Sequence, residues 1–218
     1  MAKAVIFDMD GVIVDSEPLH KEVERQMFTE FGMAISPEQQ HRFTGTSNAG
    51  MWAQLKAEFK LPKELGYYVA IKEERYLKAL AANGSVSLVP GAEELLKSLF
   101  NYGVPIALAS SSSLTNIHLV LRKFNIGRYF KALASGEEVA LAKPNPAVFI
   151  LAAQRLGIAP QNCVVIEDST NGVLAAKAAG MACVGLQSDV SLGQNLEVAD
   201  LVVLSLTNLS PDLLLSLA

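Results

Sequence analysis

A doubly wound parallel α/β sheet, interrupted by an inserted α-helical domain, is the architecture this sequence predicts. Three observations point to it. Short runs such as "AVIF" (4–7), "VPIALA" (104–109), "CVVI" (163–166), "ACVGL" (182–186) and "LVVL" (201–204) are apolar, mostly β-branched or aliphatic, and do not alternate with polar residues. Strands apolar on both faces belong to a parallel sheet covered by helices. Helical patterns separate these runs, which implies right-handed crossovers in an open sheet. Residues 15–87 break the alternation and show helical periodicity without a convincing strand.

In chain order, "AVIF" is the first strand. Periodic segments follow around 17–32, 37–44, 48–60 and 64–82. Structureless loops longer than about 12–15 residues are uncommon, so this stretch reads as a helical domain that ends near "VSLVPG" (86–91). Asp15 and Ser16 read as caps of its first helix. The predicted domains are therefore 1–14 with 88–218, and 15–87. "GAEELLKSLFNYG" (91–103) has acids in its first turn and a glycine stop. "LTNIHLVLRKFNIG" (114–127) ends on basic residues and Gly127. "KALAS" (131–135) is a further short strand. "PAVFILAAQRLG" (146–157) opens on proline and closes on glycine, the expected asymmetry. "NGVLAAKAAG" (171–180) is Ala-rich and ends on Gly180.

The 218 residues are half hydrophobic and 18% charged, with a net charge of −4. This composition supports a large core and argues against disorder. Without a long basic run, nucleic acid and anionic membrane are poor candidates as partners. No apolar stretch approaches about 18 residues, and the opening apolar run is too short for a signal peptide. A cytoplasmic location is the default, with a monomer as the simplest state. Cys163 and Cys183 lie in apolar runs and read as buried thiols.

Ligands of open parallel sheets bind beyond the carboxyl ends of the strands. Asp8 and Asp10 follow the first strand, Ser110 to Ser113 the strand at 104–109, and Glu167, Asp168 and Ser169 the strand at 163–166. Lys143 stands in "AKPNP" (142–146), before a helix. Gathered carboxylates repel unless a cation neutralises them, and a hard, oxygen-seeking ion such as Mg²⁺ suits them. Ser110, the nearby backbone N–H groups and Lys143 suit a phosphoryl oxyanion. Asp8 is a candidate nucleophile and Asp10 a candidate general acid/base. Spacing of two puts both on one side of an extended segment, and Gly11 permits a sharp turn.

"FDMDG" (7–11), the serine after the second core strand, "AKPNP" and "VIEDSTNG" (165–172) together resemble the four motifs of the haloacid-dehalogenase superfamily. The helical insert resembles its C1 cap, set on a Rossmann-like core. The resemblance implies a phosphoaspartate on Asp8, with Asp10 protonating the leaving alkoxide and later activating water. It implies Mg²⁺ held by Asp8, the Asp10 carbonyl and Asp168, with Glu167 near, and phosphate held by Ser110, Ser111 and Lys143. It also implies a cis Lys143–Pro144 bond. Within the family, the β-phosphoglucomutases and sugar-phosphate phosphatases are the nearest likeness.

The mutases carry Gly-x-Ser-Arg in the cap, and "GTSN" (45–48) has Asn48 at the arginine position. A neutral amide cannot clamp a second phosphate bidentately. The reading is therefore a Mg²⁺-dependent phosphatase acting on a small phosphomonoester, a sugar phosphate. β-Phosphoglucomutase is the alternative, and a phospho-receiver or a dehalogenase stand further off. Thr46 and Ser47, between two helices and after Gly45, form either a specificity loop or an ordinary one. His20 is either a substrate contact or a surface residue. Lys72 matches a mutase cap lysine, although Lys72 and Arg75 also fit a solvated face. Met51, Trp52 and Leu55 read as core.

Overall fold

The computed structural model describes residues 3–43, 47–82, 85–188 and 193–218. The chain divides into two units, Met1–Asp15 with Ser87–Ala218, and Ser16–Val86. In the first unit, β1 (Ala4–Phe7) is buried on both faces, and β2 (Val14–Asp15) follows a tight loop. The second unit holds α1 (Glu17–Glu30), α2 (Pro37–His41), α3 (Asn48–Phe59) and α4 (Leu65–Ala81). The chain then returns to the first unit through β3 (Ser87–Leu88), α5 (Ala92–Asn101), β4 (Ile106–Ser110), α6 (Leu114–Lys123) and β5 (Ala132–Ser135). It closes with α7 (Ala147–Leu156), β6 (Cys163–Glu167), α8 (Thr170–Ala178), β7 (Ala182–Leu186), β8 (Leu201–Val203) and α9 (Pro211–Leu217).

The sheet has the order β5-β4-β1-β6-β7-β8, and every neighbouring pair is parallel. The predicted fold class holds. Residues of β1, β4 and β6 are all buried, which is why these strands are apolar without alternation. Ala4, Ile6, Ala107, Phe149, Ala152 and Val165 pack into one core between the sheet and its helices. Phe7 lies opposite Leu108 on one side and Ile166 on the other. From β1 the chain runs to β4 and β5, then crosses back to β6. The connections of β1 and β6 thus leave in opposite directions, and ligands of such sheets lodge at that divergence.

Several predicted details change. Ser110 and Glu167 are the last residues of their strands rather than the first beyond them, because Ser110 pairs with Ser135 and Glu167 with Gly185. β2 and β3 form an antiparallel ribbon, Val14 opposite Leu88 and Asp15 opposite Ser87. Strands of two residues carry no periodicity that a sequence could display. Ser16 occupies the N-cap position of α1, but its side chain makes no cap bond. Its backbone is helical there (φ −97°, ψ −12°), whereas a capping serine is extended. Cys163 and Cys183 are free and buried. Among the described residues, no helix is long and apolar enough to cross a membrane.

The helical unit has its own core. Trp52 stacks on Tyr68 with ring centroids 5.3 Å apart, and Phe31 meets both edge-on. Met51 and Leu55 are buried with them, so these three α3 residues are packing, as their spacing predicts.

Candidate active site

Asp8 directly follows β1, and its N–H donates to the Ile166 carbonyl of β6 at 3.0 Å. That bond anchors Asp8 beside the end of β6. Lys143 arrives from the loop before α7 and is joined to Pro144 by a cis bond. Its Nζ donates to Asp8 Oδ1 at 2.5 Å and to Glu167 Oε1 at 2.8 Å, and lies 4.5 Å from the centroid of the Phe149 ring. The ammonium is thus held by two carboxylates and an aromatic face. Its side chain is 6% exposed.

The electrostatics follow from crowding. Burial pushes the Asp8 carboxyl up to about 8; Lys143 opposes the rise, while Glu167 and Asp10 add to it. Burial also raises Asp168 well above the carboxylate range, and the charges of Glu167 and Asp8 reinforce it. Against the lowering effect of its own burial, Asp8 and Glu167 hold Lys143 above the ordinary lysine range. One ammonium therefore serves a cluster of four acids.

Glu167, the residue expected near a metal, is bonded within the protein through both of its oxygens. Its Oε1 accepts from Lys143, and its Oε2 accepts from both the N–H (2.7 Å) and the hydroxyl (2.9 Å) of Ser169. With both oxygens engaged inside the protein, Glu167 orients Lys143 and the start of α8. Gly172 makes this possible: a Cβ there would lie 1.7 Å from Glu167 Oε1.

Asp168 lies over the turn after β1, where a Cβ on Gly11 would come within 2.0 Å of Asp168 Oδ2. Gly11 has φ +82°, a conformation that costs other residues about 1–2 kcal/mol. Asp10 faces elsewhere, its Oδ2 accepting from the Ser112 hydroxyl at 2.9 Å. Among the described residues, no three His, Cys, Asp or Glu side chains are grouped to hold a metal ion. Lys143 stands between Asp8 and Glu167, and the Asp10 carboxylate is turned to Ser112. The oxygen donors that remain, the Asp8 and Asp168 carboxylates with the Asp10 carbonyl, fit a hard divalent cation in kind. Their mutual repulsion is what such an ion would relieve.

Ser110 is 1% exposed, and its Oγ accepts from the Ser112 N–H at 3.0 Å. That leaves its own hydrogen to donate. Ser111 is exposed in the turn after β4. Ser112 and Ser135 were not singled out in the sequence, where Ser112 is one of four consecutive serines and Ser135 ends a weak strand pattern.

In the helical unit, Lys72 is not on a solvated face. It is 6% exposed, its Nζ 3.4 Å from Glu24 Oε1 and 3.1 Å from His20 Nδ1. Gln40 donates to Glu24 Oε2 at 2.8 Å. The His20 ring stacks on Tyr76 at 4.0 Å. An ammonium donating to Nδ1 places the proton of the neutral ring on Nε2. Burial, and then the Lys72 charge, lower the His20 pKa well below the usual histidine value. Arg75 does lie outward, paired with Glu30 at 2.6 Å. Asn48 opens α3 and donates to the Val69 carbonyl at 3.4 Å. Gly45 and Thr46 lie outside the described residues.

An acid pair at the end of β1, a lysine between two carboxylates and a serine closing β4 define a class of hydrolases. Residues 2–180 match the haloacid dehalogenase-like hydrolase family, and the chain belongs to it. Hexitol phosphatase B of Escherichia coli (strain K12) is 30% identical over 218 residues, covering 95% of this chain and 94% of that protein. The crystal structure of CbbY from Rhodobacter sphaeroides in complex with phosphate superposes with a TM-score of 0.87 at 29% identity, over 98% of this chain and 99% of that one. β-Phosphoglucomutase from Clostridium difficile gives 0.82 at 28% identity, over 98% and 95%.

Proposed function

We propose that this protein is a Mg²⁺-dependent phosphatase that hydrolyses a small phosphomonoester, a sugar phosphate, through an aspartyl phosphate on Asp8. The observation that carries the reading is the Lys143 bridge from Asp8 to Glu167 at the divergence of the sheet. The likeness to hexitol phosphatase B supports the substrate class.

In this reading an Asp8 carboxylate oxygen attacks phosphorus and the ester P–O bond breaks. Asp10 delivers its proton to the leaving alkoxide. A water then attacks the phosphorus of the acyl phosphate, gives its proton to Asp10, and inorganic phosphate leaves with Asp8 regenerated. Lys143 and the Ser110 hydroxyl hold the phosphoryl oxygens, as fixed donors aimed at charge. Asp8, Asp168 and the Asp10 carbonyl would hold Mg²⁺, which would supply neutralisation of the negative charge that phosphoryl transfer gathers. Glu167 keeps Lys143 charged and directed at Asp8. Residues 15–87 form the helical cap domain of this reading.

Asp8→Asn should abolish hydrolysis of p-nitrophenyl phosphate in the presence of Mg²⁺. Unchanged turnover would sink the reading. A second reading, β-phosphoglucomutase activity, draws on the buried His20–Lys72 pair. Engagement of the Asn48 amide with Val69 weighs against a clamp for a second phosphate. Conversion of β-glucose 1-phosphate to glucose 6-phosphate, stimulated by the bisphosphate, would establish it.

A further inference from the structure

We infer that Ser112 is a positioning residue for Asp10: it holds one oxygen of the acid as an acceptor, so that the transferable proton sits on the other. The inference rests on the acid/base role given to Asp10 above. The Ser112 hydroxyl donates to Asp10 Oδ2 at 2.9 Å, from a residue 102 positions away in sequence. The unprotonated oxygen of a carboxyl group is the stronger acceptor, so a bond accepted at Oδ2 favours the hydrogen on Oδ1. Ser112 thereby selects which oxygen gives the proton to a leaving group and which takes it from water.

The direction of that hydroxyl is not left to a flexible loop. Ser112 is fixed through both of its backbone polar groups. Its N–H donates to Ser110 Oγ at 3.0 Å, and its carbonyl accepts from the Ser135 hydroxyl at 2.7 Å. Ser135 is fully buried and is the β5 residue paired with Ser110. Its own N–H donates to Glu138 at 2.9 Å, and Arg155 grips both oxygens of Glu138, at 2.9 and 2.7 Å. Gly136 brings the chains together: a Cβ there would lie 2.8 Å from the Ser111 carbonyl. Two strand ends are thus bonded to each other, and what they hold in place is the Ser112 side chain. Positioning of this kind matters because a proton donor misplaced by about 1 Å loses much of its rate advantage.

A leaving group's own stability separates positioning of the acid from general damage. p-Nitrophenolate leaves readily without a proton, whereas phenolate, with a conjugate acid near pKa 10, needs one far more. The experiment measures kcat/KM, which reports the step that releases the alcohol, for phenyl phosphate and p-nitrophenyl phosphate with Mg²⁺. Ser112→Ala should lower the phenyl phosphate value about tenfold and the p-nitrophenyl phosphate value no more than about twofold, one lost hydrogen bond being of that order. Ser112→Thr, which keeps the hydroxyl, should restore the phenyl phosphate value to within about twofold of wild type. An equal loss on both substrates, no loss on either, or failure of threonine to restore would overturn the inference. Asp10→Asn should show the same selectivity more strongly. If it does not, the role of Asp10 itself fails, whatever Ser112 does.

Discussion

Lys143 Nζ lies 2.5 Å from Asp8 Oδ1 although 135 residues separate them in sequence. The same nitrogen reaches Glu167 Oε1 at 2.8 Å, so a single cation joins the ends of two neighbouring strands. Removing it leaves two buried carboxylates facing each other. Lys143→Met should lower turnover of p-nitrophenyl phosphate by more than about a hundredfold. Without added metal it should also lower stability at neutral pH by about 3 kcal/mol, read from urea denaturation. A variant as stable as wild type would show that the bridge contributes nothing to the fold.

Gly11 controls where Asp168 can go. An alanine there would put its Cβ 2.0 Å from Asp168 Oδ2, and the φ of +82° would strain it as well. Gly11→Ala should stay folded, lose about 1–2 kcal/mol, and bind Mg²⁺ at least about tenfold more weakly by calorimetric titration. Gly157→Ala is the control. Its φ is +70°, and a Cβ there meets nothing within 4 Å, so it carries the backbone cost alone. Equal Mg²⁺ affinity in both variants would remove Asp168 from the proposed ligands.

His20 gives a pH dependence with a definite sign. Burial and the Lys72 charge lower its pKa in the folded state. The unfolded chain, with a histidine near 6.5, therefore binds more protons as pH falls. Stability contributed by neutral His20 is complete above about pH 6.5 and is lost below it. Between about pH 7.5 and 5.5 the wild type should lose about 1 kcal/mol that His20→Gln does not, measured by thermal unfolding of both. Parallel losses in the two proteins would show that His20 is free to protonate. Glu24 and Lys72 face it in the same cluster and are present in both.

Much of this molecule was legible in its sequence. The parallel strands could be read because burial on both faces leaves no polar residue in β1 and only the closing Ser110 in β4. Met51, Trp52 and Leu55 were readable as core because helical spacing sends them to one side of α3. The β2–β3 ribbon was not, since two paired residues show no alternation. Lys72 fits a solvated face by its sequence, yet it is buried. Its partners Glu24 and His20 lie on another helix, and nothing local announces them.

The sequence by itself determined which chemistry-bearing residues arrive at the strand ends, and in what order. Asp8 and Asp10, Ser110, Lys143 and Asp168 each follow or close a segment whose apolar character is a local property. The tertiary structure alone decided how they divide the work. It set Glu167 against Lys143 and Ser169, and it gave Asp10 to Ser112. The physical reason is range. Hydrophobic periodicity is fixed by neighbours three or four residues away, whereas a hydrogen bond is decided within about 3 Å by strand register and turn geometry.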